Sequence, residues 1–402
     1  MLIRRIASPL VLMALAITAS ADVITDAPSQ WAASPSGRIH YRSWGRGRDA
    51  IVLIHGWMCD MSYFAPQVTH FANGMRVVAI DLPGHGLSDK PEIDYTQPFF
   101  AESVRRVLDD AHVKRAVLVG HSMGTQVARQ FYRMYPERTL ALVWLDGSFK
   151  AMITDQATID TILGSLRGPG YPAAAARVVD GMLAVAPDSG YKAHIREVML
   201  GTPQHVVASA ATGMFDLKLW NDEPIKVPML LIHAKSPLWT EEYEKYVRRI
   251  VPNVDYVVMD GVSHFLHTEK PAEINALIDA FLVKNRLLGQ KLQAAVGKDA
   301  ESRGRRAWRV IHRHDRPRDG SPPRTPAKVL LFFPKFTSNS RRAQRRRVLT
   351  CCRRTTRAMP YEERFTGTSR QRRSSRGCSC ATQDSPRSFA RRPAPHRHEA
   401  RL

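Results

Sequence analysis

The first 290 residues contain short, almost wholly apolar runs separated by longer stretches in which apolar residues recur at helical spacing. Such uninterrupted runs are typical of strands buried on both faces of a parallel sheet. Six of them lie at residues 50–54, 75–80, 116–119, 141–145, 228–233 and 254–259. Strands that alternate with helices in this way predict an α/β fold with a mostly parallel central sheet covered by helices.

Two parts of this region depart from that rhythm. Residues 36–48 favour an edge strand followed by a turn. Residues 148–225 carry helical stretches separated by Gly- and Pro-rich turns, which predicts an inserted helical cap. The remaining helices are predicted over residues 59–73, 97–112 and about 240–250, with a last helix that begins near Pro271.

The pentapeptide Gly120-His121-Ser122-Met123-Gly124 stands between an apolar run and a helical stretch. Strand, sharp turn and helix with a serine at the apex form the context of a nucleophile elbow. The two glycines allow the tight turn and the close approach of the helix. The alternative is a chance G-x-S-x-G sequence in an ordinary turn.

With these features the sequence resembles the α/β-hydrolase family over roughly residues 36–286. The resemblance rests on four motifs in the family's order: His55-Gly56, the segment Asp81-Leu82-Pro83-Gly84-His85-Gly86-Leu87-Ser88, the elbow, and Gly261-x-x-His264 before a terminal helix. It implies a central sheet of eight strands and a catalytic triad in the order serine, acid, histidine. It implies no metal and no organic cofactor.

A serine hydroxyl is a weak nucleophile and needs an adjacent base. Ser122 is the predicted nucleophile, and His264, in a loop late in the chain, is the predicted base. The dehalogenase and epoxide-hydrolase branches of the family use an aspartate nucleophile, which Ser122 excludes here. The other histidines of this region are expected to pack or to hold loops; they include His55, His85, His121, His233 and His267.

The third member of the triad departs from the usual family pattern. Most relatives place an aspartate just after the strand that ends near residue 233, where this chain has Ala234-Lys235-Ser236-Pro237-Leu238-Trp239. A smaller set carries the acid after the strand that follows the elbow helix, which is Asp146 here. We therefore predict Asp146 as the acid, with Glu241 or Glu242 as the alternative. The competing interpretation of Asp146 is an ordinary turn aspartate.

The resemblance also implies an oxyanion hole made by backbone N–H groups. The predicted donors are those of Met123, directly after the nucleophile, and of Trp57, after the His-Gly motif. The side chains of these two residues, with Trp239 and Phe265, are candidates for an apolar acyl pocket. The alternative for each of the four side chains is plain core packing.

The net charge of +22 is concentrated at one end of the 402-residue chain. Residues 1–290 hold 29 Lys and Arg against 29 Asp and Glu, whereas residues 291–402 hold 30 against 8. The tail lacks apolar periodicity, so we predict it to be disordered. It is interpreted either as a polybasic arm for nucleic acid or anionic lipid, or as an extension translated out of frame. No nucleic-acid partner is expected for the folded domain.

Residues 1–21 have the features of a secretory signal. Arg4 and Arg5 are followed by an apolar core and by the cleavage-site pattern Ala19-Ser20-Ala21. The mature chain is predicted to begin at Asp22, to have no membrane span and to be secreted or periplasmic. An uncleaved anchor is the alternative. The predicted domain organisation is a signal over 1–21, a hydrolase domain over 22–290 and a basic tail over 291–402.

Taken together, these patterns predict a serine hydrolase that cleaves a carboxylic ester or a related acyl bond of a small molecule through an acyl-enzyme. Three alternatives remain open at this point. A non-catalytic binding protein has the same fold, because fold alone does not confer activity. A perhydrolase or a carbon–carbon bond hydrolase uses the same triad. The sequence makes no prediction of the oligomeric state.

Overall fold

An eight-stranded sheet forms the centre of the protein. The computed structural model describes residues 24–187 and 190–287. The order of the strands in the sheet is β1-β2-β4-β3-β5-β6-β7-β8. The strands are β1 (Gln30–Ser34), β2 (Gly37–Trp44), β3 (Asp49–Ile54), β4 (Val77–Ile80), β5 (Arg115–His121), β6 (Thr139–Leu145), β7 (Met229–Ala234) and β8 (Val254–Met259).

Most of the sheet is parallel, as predicted. Strands β3 to β8 pair in parallel, whereas β1 and β2 join the sheet through antiparallel ladders. The prediction of an edge strand over residues 36–48 was wrong in its placement, because β2 lies inside the sheet and β1 takes the edge. The sequence of β1, Gln-Trp-Ala-Ala-Ser, is short and carries an exposed Trp31, so no apolar run marks it.

The sheet separates two hydrophobic cores because side chains alternate along each strand. On β3, Val52 and Ile54 belong to one core, and Ile51 and Leu53 belong to the other. All four side chains are fully buried. This two-sided burial explains why the strand has no polar positions in its sequence.

Ten α-helices surround the sheet in the part of the chain that the structure describes. They are α1 (Ala65–Phe71), α2 (Gln97–Asp110), α3 (Met123–Met134), α4 (Gln156–Arg167), α5 (Tyr171–Met182), α6 (Gly190–Leu200), α7 (Gln204–Met214), α8 (Glu241–Ile250), α9 (Leu266–Glu269) and α10 (Pro271–Lys284).

The single helix predicted over residues 59–73 is divided in two. A 3-10 helix at Met61–Phe64 precedes α1. Asp60 caps the 3-10 helix by accepting the Ser62 N–H at 2.9 Å, and Pro66 stands in the first turn of α1. Proline is favoured at the start of a helix, where its missing N–H is not needed.

Helices α4 to α7 lie between β6 and β7, as predicted for an inserted helical segment. The side chains of two residues after β3 donate hydrogen bonds to this segment. Trp57 Nε1–H donates to the carbonyl of Val207 on α7 at 3.1 Å, and the Tyr63 hydroxyl donates to the carbonyl of Ile195 on α6 at 3.2 Å. The predicted signal at 1–21 and the predicted tail at 291–402 lie outside the described residues. Within the described residues, no helix has the length and apolar character needed to cross a bilayer.

Candidate active site

Ser122 occupies the turn between β5 and α3 in a backbone conformation that is unusual for a residue with a side chain. Its φ is 52° and its ψ is −118°. A positive φ costs free energy in any residue other than glycine and persists only where the surroundings enforce it. The Ser122 N–H donates to the carbonyl of Leu145 at 3.0 Å, and the Ser122 carbonyl accepts bonds from the N–H and hydroxyl of Thr125. The predicted elbow is therefore present and is held at both of its backbone polar groups.

Close contacts explain why glycines surround the serine. A Cβ added to Gly124 would lie 2.1 Å from the carbonyl oxygen of Ile54, and one added to Gly120 would lie 2.4 Å from that of Gly124. A Cβ on Gly56 would lie 3.1 Å from the Cβ of Ser122. Helix α3 thus packs directly on the end of β3, and the loop after β3 lies directly against the serine.

Asp146 and His264 are joined by a short hydrogen bond. His264 Nδ1 lies 2.7 Å from Asp146 Oδ2. Asp146 also has a positive φ, of 53°, and its N–H donates to the carbonyl of Ile232 at 2.8 Å. Its other carboxylate oxygen accepts the N–H of Ala234 at 3.0 Å. Backbone groups at the end of β7 therefore fix the residue whose carboxylate faces the histidine.

The ionisation of Asp146 determines the tautomer of His264. Burial alone would raise the pKa of Asp146, but the side chains of His233 and His264 outweigh burial and lower it to about 2. An ionised carboxylate can only accept hydrogen bonds. The proton of His264 therefore lies on Nδ1, and Nε2 is left as the basic nitrogen.

The alternative acids, Glu241 and Glu242, lie in the first turn of α8. Glu241 forms an ion pair with Lys245 at 2.7 Å, and its side chain is 75% exposed. Glu242 is exposed as well. Among the described residues, the carboxylate in contact with the His264 ring is that of Asp146.

His233 is a neighbour of the acid that the sequence did not reveal. The sequence predicted only that it packs at the end of its strand. Its ring is buried and stacks on Trp239 with 3.9 Å between ring centroids, but Nδ1 also lies 3.7 Å from Asp146 Oδ1. That distance is too long for a hydrogen bond and close enough for an electrostatic effect. The contact follows from the register of β6 and β7, in which Ile232, the residue before His233, pairs with Leu145, and no local pattern in the sequence signals it.

Two further histidines lie behind His264. The ring of His121 is 4.8 Å from that of His264 and 4.5 Å from that of His267. His121 Nε2–H donates to the carbonyl of His264 at 2.9 Å, so it holds the loop that carries the base. Burial lowers the pKa of His121 well below its usual range and lowers that of His267 to about 3. Both rings are therefore neutral at pH 7.

The motif residues around Asp81 stabilise loops, as predicted. Asp81 is buried and accepts the N–H groups of Met61 and Leu87, each at 2.9 Å, and lies 2.8 Å from His40 Nδ1. His55 Nε2 accepts the N–H of Leu82 at 2.9 Å. No cluster of three or more potential metal ligands occurs within residues 24–187 and 190–287.

The two residues predicted to form the oxyanion hole belong to the two segments that meet at Ser122, which are helix α3 and the loop after β3. Met123 is the first residue of α3, and Trp57 follows Gly56, the residue that contacts Ser122. Of the predicted pocket side chains, Phe265 is fully buried against Tyr63 and His121. The geometry of Phe265 is that of core packing.

Comparison with known proteins is consistent with this geometry. Residues 51–277, more than half of the chain, match the family model described as "Alpha/beta hydrolase family". A serine hydrolase-like protein of Danio rerio is 40% identical over 129 residues, which are 31% of this chain and 40% of that protein. A 2-(acetamidomethylene)succinate hydrolase of Mesorhizobium japonicum is 24% identical over 259 residues, which are 58% of this chain and 88% of that protein.

Solved structures agree with the sequence matches. An N-acyl homoserine lactone degrading enzyme is 26% identical, with a TM-score of 0.54, and the match covers 63% of this chain and all of that one. An enol-lactonase from Burkholderia xenovorans is 24% identical, with a TM-score of 0.55, covering 63% of this chain and 99% of that one. The chain spans two fifths of the length of its first curated relative. The sheet, the elbow and the family match together show that this chain belongs to the alpha/beta hydrolase family.

Proposed function

We propose that the protein is a serine hydrolase that cleaves a carboxylic ester, or a related acyl bond, of a small molecule. The observation that carries this proposal is the 2.7 Å contact between His264 Nδ1 and Asp146 Oδ2, which places the ring proton on Nδ1 and makes Nε2 the nitrogen that can accept a proton. The elbow conformation of Ser122 supports it, because such turns expose the hydroxyl at the end of the sheet.

In the proposed reaction, the Ser122 hydroxyl attacks the substrate carbonyl while His264 Nε2 removes its proton. The resulting imidazolium is stabilised by the ionised Asp146. His264 then transfers the proton to the leaving group, and an acyl-enzyme remains on Ser122. Water attacks the acyl-enzyme with His264 again as the base, and the acid product leaves with Ser122 restored.

The negative oxygen that develops on the substrate needs hydrogen-bond donors. We assign this role to the backbone N–H groups of Met123 and Trp57. The contact between Gly56 and Ser122 supports it, because it brings the backbone after β3 to the serine. The N-terminus of α3 adds a partial positive charge at the same place.

Lactone- and ester-cleaving proteins are similar to this chain, which supports an acyl substrate. The N-acyl homoserine lactone degrading enzyme is the most informative of these, at 26% identity. We propose that the helical segment over about 148–225 determines which substrate binds, because the side chains of Trp57 and Tyr63 both donate hydrogen bonds to it.

We further propose that residues 1–21 direct the protein to the periplasm or the exterior.

A fluorophosphonate probe tests the proposal because it forms a covalent bond only with an activated serine. The wild-type protein should be labelled, and it should hydrolyse at least one p-nitrophenyl ester from a series of graded acyl chain length. Ser122→Ala should abolish both signals. Ser165→Ala, which removes a hydroxyl bonded to the carbonyl of Ile162 on α4, is the matched control and should retain both.

The alternatives predict different results. A folded wild-type protein that is neither labelled nor active would favour the binding-protein alternative. Labelling of Ser122 without turnover of any ester would point instead to a perhydrolase or a carbon–carbon bond hydrolase.

A further inference from the structure

A small cavity lies beside α3, away from the proposed catalytic residues. Its volume is about 20 Å³, and a single water molecule needs roughly 10–15 Å³. Four of its lining residues carry the argument and define what we call the Arg129 cavity: Gln97, Arg129, Trp144 and Ser148. They come from α2, α3, the end of β6 and the segment after Asp146.

Two of these side chains are buried with polar atoms that have no hydrogen-bond partner in the part of the chain that the structure describes. Gln97 is 1% exposed, and both its Nε2 and its Oε1 are unpartnered. Trp144 is fully buried, and its Nε1 is unpartnered. Buried polar groups are almost always hydrogen-bonded, because leaving one unpartnered costs about 1–3 kcal/mol. Two such side chains that line one cavity therefore indicate that the cavity has an occupant, either a water molecule or a ligand.

The third side chain carries a positive charge. Arg129 is 4% exposed, and its guanidinium donates to two backbone carbonyls, those of Phe149 and Asn221. Within the described residues no carboxylate oxygen lies within 4 Å of it, whereas the neighbouring Arg133 pairs with Glu223 at 2.7 Å. Burial lowers the pKa of Arg129 to about 10, so the group remains a cation at pH 7. Asp222 and Glu223 act on this charge only from beyond 4 Å, and a buried charge without an adjacent counter-ion is unfavourable.

Donors outnumber acceptors in this cavity. The guanidinium, the Gln97 amide and the Trp144 indole together offer more N–H groups than the Gln97 carbonyl and the Ser148 hydroxyl can accept. We propose that the Arg129 cavity is an anion-binding site for a small monoanion, either a free halide ion or the carboxylate end of a ligand. Such an anion supplies the missing counter-charge and accepts the unused N–H groups.

The position of the cavity gives the anion a role in the fold. Phe149 and Asn221 lie near the two ends of the helical segment over about 148–225, so Arg129 bonds close to both of its connections to the sheet. Arg129 also lies seven residues after Ser122, which is about 10 Å along the axis of α3. A bound anion therefore holds the segment on the sheet, and the carboxylate of an extended substrate is within reach.

The first test measures thermal unfolding and needs no catalytic activity. The melting temperature of the wild type is compared in sodium bromide, sodium chloride and sodium gluconate at equal ionic strength. Gluconate is the reference anion because the hydroxyl group on the carbon beside its carboxylate makes that end too bulky for a cavity of about 20 Å³, unlike the carboxylate on an unbranched chain. We expect a saturable rise of about 2–4 °C in the halides. Gln97→Met and Arg129→Met should lose the rise. Gln156→Met, an exposed glutamine on α4, is the matched control and should keep it.

The second test distinguishes the two sources of the anion. A p-nitrophenyl ester with a free carboxylate on its acyl chain and a neutral ester of equal length are assayed in bromide and in gluconate. If the substrate carboxylate occupies the site, bromide should raise KM several-fold for the charged ester only, and Gln97→Met should remove that effect. A melting temperature that responds to halide while both KM values stay constant identifies a free anion as the ligand.

Other results overturn the proposal. Equal wild-type melting temperatures in bromide and gluconate at all concentrations, with no effect of bromide on either KM, would show that the cavity binds no anion. A halide response that persists in Gln97→Met would place the binding elsewhere. Because the unfolding test uses no substrate, its failure is separate from a failure of the proposed hydrolase activity.

Discussion

Asp146 is the residue on which the proposed chemistry depends most. It follows β6, in the position that a smaller set of relatives uses for the acid, and β7 supplies backbone groups that fix it. The sequence predicted this residue because the usual position after β7 holds no carboxylate. It did not predict the contact with His233, since that contact depends on how two strand ends lie side by side.

Asp146→Asn should lower kcat by about 10³–10⁴-fold while leaving KM within a few-fold of the wild-type value. The amide cannot stabilise the imidazolium and favours the wrong tautomer of His264. Steady-state hydrolysis of a p-nitrophenyl ester measures the effect. Glu242→Gln is the control and should be fully active. A loss in Glu242→Gln that equals the loss in Asp146→Asn would move the acid to α8.

His267→Phe should make the protein less sensitive to acid. The folded-state pKa of His267 is about 3, below the value of about 6.5 expected when the chain is unfolded. The unfolded state therefore binds more protons between these values. The contribution of the neutral, buried His267 to the free energy of unfolding is fully present above about pH 6.5 and is lost as the pH falls towards 3.

Because of this single group, the free energy of unfolding should be about 2–3 kcal/mol lower at pH 4.5 than at pH 7. Urea unfolding at both pH values measures the difference, which should shrink by that amount in His267→Phe. His194→Gln, on the exposed side of α6, is the control and should behave as the wild type. An unchanged pH dependence in His267→Phe would show that this ring does not carry the effect.

At the scale of elements, the elbow depends on close packing between β3 and α3. The carbonyl of Ile54 occupies the space where a side chain on Gly124 would begin. The strained φ of Ser122 is maintained by bonds at both ends of the turn. Packing this close requires glycine, and the required glycines are visible in the sequence. The elbow was therefore predicted correctly.

Gly124→Ala should therefore separate α3 from β3 and damage the site. We expect a loss of about 1–3 kcal/mol in the free energy of unfolding, together with a loss of most ester turnover. Gly164→Ala is the matched control, because nothing lies within 4 Å of a Cβ added there on α4. It should stabilise the protein by about 0.5–1 kcal/mol, as expected for alanine in a helix interior. Chemical unfolding and an ester assay test both; wild-type activity in Gly124→Ala would contradict this account of the elbow.

At the scale of the whole molecule, the six strands that the sequence predicted from apolar runs are the ones that lie in the parallel part of the sheet, β3 to β8. Their uninterrupted apolar runs, such as 50–54 in β3, are typical of buried strands and not of amphipathic helices or loops. Strand β1 was missed because it lies at the edge and half of its residues face solvent. The Arg129 cavity was missed for a different reason: its polar groups come from separate elements, and no local pattern relates Gln97 to Trp144.

The uneven distribution of charge gives a prediction for the chain as a whole. Removal of residues 291–402 should leave the rate of ester hydrolysis unchanged, because every proposed catalytic residue lies between 57 and 264. It should also remove binding to an anionic matrix such as heparin, since residues 1–290 have equal numbers of acidic and basic side chains. Heparin elution and an ester assay of the full chain and the shortened one measure both. Equal retention of the two proteins would show that the tail carries no binding.

The placement of Asp146 has a consequence for how this protein can be altered. Asp146 and Phe149, where the helical segment is anchored, are separated by only two residues. Grafting a lid from a relative must therefore leave this short junction intact, since one inserted residue would shift the carboxylate. The loop over 235–238 is less restricted, since it precedes Trp239, which stacks on His233 beside Asp146, and Thr240, which caps α8. It is the place to lengthen, randomise or fuse when a library of new specificities is designed.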